Sequence, residues 1–86
     1  MNSTETQELL FMQVVYQNQQ LALIGLGKLK NPISNKEEKN LEQAKMAIDI
    51  LDMLTVKTKG NLSAREDHFL QDVLRDLKLN YVNETK

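Results

Sequence analysis

His68, the only histidine among the 86 residues, stands one helical turn before Asp72. At that spacing an imidazole and a carboxylate share a helix face and can act as an acid–base couple. Nothing nucleophilic or metal-binding stands within reach on the same face, and the pair falls on the polar side of its helix. A solvated surface pair is the better account. The second candidate is Lys57-Thr58-Lys59-Gly60-Asn61-Leu62-Ser63, which precedes a helix N-terminus where backbone N–H groups can hold an anion. Lys57, Lys59, Asn61 and Ser63 are its natural ligands. The segment lacks the glycine spacing and following lysine of a phosphate loop, and Glu66 and Asp67 would repel an anion. A capped turn explains the same residues.

No acidic pair, serine–histidine arrangement or glycine-rich dinucleotide turn can be assembled from what is left. The chain has no cysteine, so a transition-metal site would have to be built mostly from carboxylates. No catalytic, cofactor or metal site is expected, and the chain is not expected to be an enzyme. Eleven basic and twelve acidic side chains nearly cancel. Such a balance has no general field for steering toward phosphate backbones or anionic lipid, so neither nucleic acid nor membrane is an expected partner. The N-terminus carries acids where a signal peptide needs positive charge, which points to the cytoplasm.

The elements that carry these residues are helices. Eighty-six residues make one domain, which buries only about 60% of its unfolded surface and depends on packing, or on association, for stability. The first helix is expected over Thr4–Lys30, opened by a Thr4–Gln7 capping box. It has no charge from Leu9 to Gly27, but Gln13, Gln17, Asn18, Gln19 and Gln20 argue against a membrane span. On a helical wheel Leu10, Val14 and Leu21 flank the Gln13/Gln17/Gln20 stripe on one side. Leu9, Met12, Tyr16 and Leu23 flank it on the other, and Phe11, Val15, Ala22, Leu26 and Leu29 fill much of the rest. The apolar arc is about 250°, where a surface helix needs little more than about 100°. Gly25 and Gly27 weaken the end before Pro32; they fray or cap the helix, or else admit another backbone.

After a short polar link, Ser34 with Glu37 or Asn35 with Glu38 is expected to open the second helix, over 35–59. Leu41, Ala44, Ile48, Leu51 and Thr55 form its seam, widened by Ala47 and Leu54. Met46, Ile50 and Met53 form a second stripe, and Lys45–Asp49 is an i,i+4 pair. Gly60 suits a left-handed stop. Ser63 with Glu66 is the clearest capping box in the chain and opens the third helix, over 63–82. Its inner face is Phe69, Leu70, Val73, Leu74, Leu77 and Tyr81, and residues 83–86 are expected to fray.

The stretch Leu62-Ser63-Ala64-Arg65-Glu66 resembles the first helix of a LuxR-type helix-turn-helix, but that fold needs two further helices after it. A broader likeness runs from Phe11 to Val82. It rests on Leu26-Gly27, Asn31-Pro32, Ala44-Lys45, Ile48-Asp49, Leu51 and Met53-Leu54. The run Lys57–Ser63 is its most specific part, followed by Glu66, Leu70, Leu74, Asp76-Leu77 and Tyr81-Val82. In these residues the chain resembles the bacterial family catalogued as domain of unknown function 1844. The resemblance implies a small cytoplasmic helical protein without an assigned activity, so no catalytic residue carries over. It departs at Ser34-Asn35-Lys36, where a Thr-Gly-Glu pattern is usual.

The expectation is an all-α, three-helix antiparallel bundle that self-associates. Its candidate interface is Met12, Tyr16 and Leu23 with Met46, Ile50 and Met53, and its expected partner is a homo-oligomer or an unidentified protein. An anion- or nucleotide-responsive protein using the Lys57–Ser63 turn is the alternative.

Overall fold

In a computed structural model that describes residues 3–86, the chain forms α1 (Ser3–Gly25), α2 (Leu41–Lys57) and α3 (Ala64–Glu84), with no strand among the described residues. Each helix packs against the other two. Val15, Ala22 and Leu26 meet Ala44, Ala47, Ile48 and Leu51 of α2 and Leu70, Val73, Leu74 and Leu77 of α3 in one buried cluster. The seams expected for α2 and α3 are the ones buried. α1 turns inward its Val15/Ala22/Leu26 stripe, with Phe11 and Leu23 partly buried against the same cluster.

α1 stops at Gly25 rather than Lys30, and the two nearby glycines divide the work. Gly27, at φ +77°, takes the left-handed position of a Schellman motif. Its N–H donates to the Ile24 carbonyl (3.0 Å), and the Lys28 N–H donates to the Leu23 carbonyl (2.9 Å). Gly25 is fully inside, and a Cβ built there would lie 2.7 Å from both the Ala44 nitrogen and the Asn40 carbonyl oxygen. Close backbone approach, not fraying, explains Gly25.

α2 opens later than expected, at Leu41, with Asn40 as its N-cap; the Asn40 side chain accepts from the Gln43 N–H at 3.1 Å. Neither Ser34 nor Asn35 can start the helix, because residues 31–36 close on themselves. The Asn31 N–H donates to the Lys36 carbonyl (2.8 Å), the Asn35 N–H donates to the Asn31 carbonyl (2.7 Å), and Asn35 itself is left-handed at φ 56°. At the other end of the molecule, Thr4 already lies inside α1, so Thr4–Gln7 is not its cap; residue 2 lies outside the described residues.

α3 begins as expected. The Ser63 hydroxyl accepts from the Glu66 N–H (3.2 Å), and the Ser63 N–H donates to the Glu66 carboxylate (2.7 Å). It ends later than expected, at Glu84, with Thr85 as C-cap, so residues 83 and 84 are helical rather than frayed. Glu84 is held by Lys28 at 3.0 Å and Lys39 at 2.6 Å, with its side chain only 17% exposed. One carboxylate thus joins the end of α3 to both ends of the 26–40 connection. Lys39 chiefly, then Lys28, hold that carboxyl below the usual glutamate range.

Two expected outcomes follow from these contacts. Alanine normally favours a helix interior over glycine by about 1 kcal/mol. Gly25→Ala should nevertheless lower stability by about 1–3 kcal/mol, because backbone rather than a yielding side chain opposes the new methyl; a higher Tm would show the backbones are not in contact. For Glu84 the folded-state pKa is the lower one, so its stabilisation is complete above the ordinary value of 4.5 and fades as pH falls through the folded value. Glu84→Gln should therefore lower Tm at neutral pH, with the gap to wild type closing in acid; a gap constant with pH would remove the clamp.

Candidate functional site

The surface best fitted to do something is the outer side of the α1–α2 pair. With Val15, Ala22 and Leu26 turned to the core, Leu10, Val14 and Leu21 are left exposed along one flank. On α2, Met46 (64% exposed), Ile50 and Met53 line the matching flank. Leu21, Gln43, Met46, Ala47 and Ile50 share a cleft of about 300 Å³, which shows that the two stripes adjoin. The Gln43 amide Nε2 donates to the Leu21 carbonyl at 3.0 Å across the floor of this junction. The result is an apolar face carried by two helices whose relative position is held by hydrogen bonds.

The six residues anticipated as an interface do not form one surface. Met46, Ile50 and Met53 lie on this face. Met12 lines a different cleft, with Leu9, Glu8 and Arg65, on the side of α1 that meets α3. Tyr16 is exposed one turn further along that flank, and Leu23 is half-buried against the core. Leu10, Val14 and Leu21 are the α1 residues that accompany the methionine stripe. The wheel already sorted them onto one flank; which flank α3 would cover was not visible in it.

The Lys57–Ser63 turn has a cleft of about 660 Å³, lined in part by Val56, Lys59, Leu62, Ser63 and Asp67. The Asn61 and Ser63 donors are already engaged. The Ser63 N–H gives its hydrogen to Glu66, whose own N–H is given to the Ser63 hydroxyl. Asn61 uses its N–H on the Thr58 carbonyl, and its amide Nδ2 reaches the Lys59 carbonyl at 3.5 Å. Lys57 and Lys59 are exposed. A carboxylate of the chain itself therefore sits where an anion would, as the capped turn requires. His68 is exposed, and Asp72 pairs with Arg75 at 2.8 Å.

Among the described residues no group of three or more His, Cys, Asp or Glu could hold a metal ion. No helix formed by them is long and apolar enough to cross a membrane. The charges beside the apolar face are few. Lys45 and Asp49 pair at 2.8 Å, and the hydrogen bond that Lys45 donates to the Asp49 carboxylate, then the charge of that carboxylate, raises the Lys45 pKa.

Gly60 stands at φ +83°, third residue of a turn closed by the Asn61 N–H on the Thr58 carbonyl (2.9 Å), with nothing within 4 Å of an added Cβ. The expected loss for Gly60→Val, more than about 1 kcal/mol, is thus purely a backbone cost. Gly60→Asn should lose less, since asparagine tolerates that region; equal Tm values for glycine and valine would contradict the turn.

Comparison with curated proteins and with solved structures gives no match. The profile of a family described as Domain of unknown function (DUF1844) matches residues 8–83. A match over nearly the whole chain shows that this protein belongs to that family.

Proposed function

We propose that the protein is a non-enzymatic self-association module of the cytoplasm, an up–down–up antiparallel three-helix bundle that binds another copy through the α1–α2 apolar face. The antiparallel sense is supported by the pairings along the helices. Gly25 meets Asn40 and Ala44, Lys78 pairs with Asp52, and Arg65 faces Glu8. A reducing compartment agrees with the absence of cysteine.

The observation that carries the self-association reading is the adjoining stripe of exposed Leu10, Val14, Leu21, Met46 and Met53. Exposed apolar side chains scattered singly need no explanation, whereas a contiguous set on two packed helices marks an interaction surface. Methionine suits such a surface because its flexible thioether adapts to a partner.

Sedimentation at micromolar concentration tests the reading. Wild type should run as an oligomer, and Met46→Glu should run near the 9.9 kDa of one chain while keeping its helix content, with a Tm that no longer rises with protein concentration. A folded wild-type monomer would sink the proposal.

A further inference from the structure

The apolar face has an internal symmetry that bears on how a second copy would sit. Val14 and Leu21 are seven residues apart, as are Met46 and Met53. The first pair is centred between residues 17 and 18, the second between residues 49 and 50. Leu21 shares its cleft with Met46 and Ile50, and Gly25 abuts Asn40 and Ala44. Stepping back from those contacts along both helices brings the two midpoints to the same level. A half-turn about an axis through that level, lying in the face and perpendicular to the helices, therefore superposes apolar positions on apolar positions.

Charge distinguishes this arrangement from its alternatives. Glu42 and Lys57 are both exposed, at the two ends of the α2 side of the face, and neither takes part in an ion pair among the described residues. Each lies the same number of residues from the midpoint of Met46 and Met53. They are about 22 Å apart along the helix, too far to meet within one chain. The half-turn brings each onto the other's position in the second copy. A parallel pairing of α2 with α2 would instead set Glu42 against glutamate and Lys57 against lysine. Stacking α1 on α2 would set neither against an unpaired charge, since α1 has none between Leu9 and Gly27 and the flanking Glu8 and Lys28 already pair with Arg65 and Glu84. Asp49, near the axis, brings its own counter-ion in Lys45.

Resting on the self-association reading, we propose that two copies of this chain pair face to face across α1 and α2 about such a two-fold axis. Met46 then packs on the partner's Met53, Val14 packs on the partner's Leu21, and Glu42 forms an ion pair with the partner's Lys57. The contact is isologous, so the assembly closes as a dimer and every ion pair occurs twice.

The test is a charge exchange read by sedimentation at low salt. Glu42→Lys and Lys57→Glu alone should each weaken dimerisation by about tenfold, because each sets two like-charge pairs in the interface. The double variant Glu42→Lys/Lys57→Glu should return to near wild-type affinity. The helix-end charges also affect α2 itself, so the absence of cysteine provides a second readout. Mixed Met46→Cys and Met53→Cys chains should form an interchain disulfide with each other on oxidation, and Met46→Cys alone should not. A wild-type monomer would overturn the self-association reading itself. A dimer indifferent to both charge changes, or one in which Met46→Cys cross-links with itself, would overturn this pairing and leave self-association standing.

Discussion

The Gly25 carbonyl is one of those a helix leaves without an internal partner at its C-terminus, and here the Asn40 N–H donates to it at 2.8 Å. That N–H is itself a group the start of α2 leaves unpaired. One hydrogen bond thus satisfies an orphan at the end of one helix with an orphan at the start of the next. It is possible only because Gly25 has no side chain: a methyl there would touch the Ala44 nitrogen and the Asn40 oxygen. Gln43, which in an ordinary capping box would serve the N-cap N–H, is freed by this arrangement and ties α2 to the Leu21 carbonyl instead.

The position of α2 on α1 follows from that contact. With the backbones in contact at Gly25, only small side chains fit between the helices further along, and Ala22, Ala44 and Ala47 are what the junction contains. Leu10, Val14 and Leu21 on one side of α1 and Leu9 and Tyr16 on the other stay exposed. α3 covers one flank in part, leaving Met12 and Leu23 half-buried and Leu9 and Tyr16 exposed, while Leu21 stays beside Met46 and Ile50 with Leu10 and Val14 exposed further along the other flank. The exposed face is thus a direct consequence of a core built from small residues at the α1–α2 junction.

The far end of the bundle obeys a different constraint. There the chain must reverse within a few residues between α2 and α3, and it does so by local means: a glycine with positive φ and a reciprocal Ser63–Glu66 cap. Glu66 is buried in meeting that need, and the turn that looked suited to an anion uses its donors on the chain's own groups. The Gly25 end is held by non-local means, with Glu84 closing it through Lys28 and Lys39.

The amino-acid sequence by itself determined whatever depends on near neighbours: three helices, the Ser63–Glu66 cap, the left-handed glycine at 60, the Lys45–Asp49 pair, and the buried seams of α2 and α3. Only the tertiary structure decided where α1 ends, which start of α2 is used, that α3 reaches Glu84, and which flank of α1 stays uncovered. These turn on partners distant in the chain: the Asn40 N–H for Gly25, Lys28 and Lys39 for Glu84, and α3 for one of two similar apolar flanks. Periodicity ranks the faces of a helix by their own composition, and α1 is apolar on nearly every side. The choice among its faces therefore fell to how closely another backbone could approach.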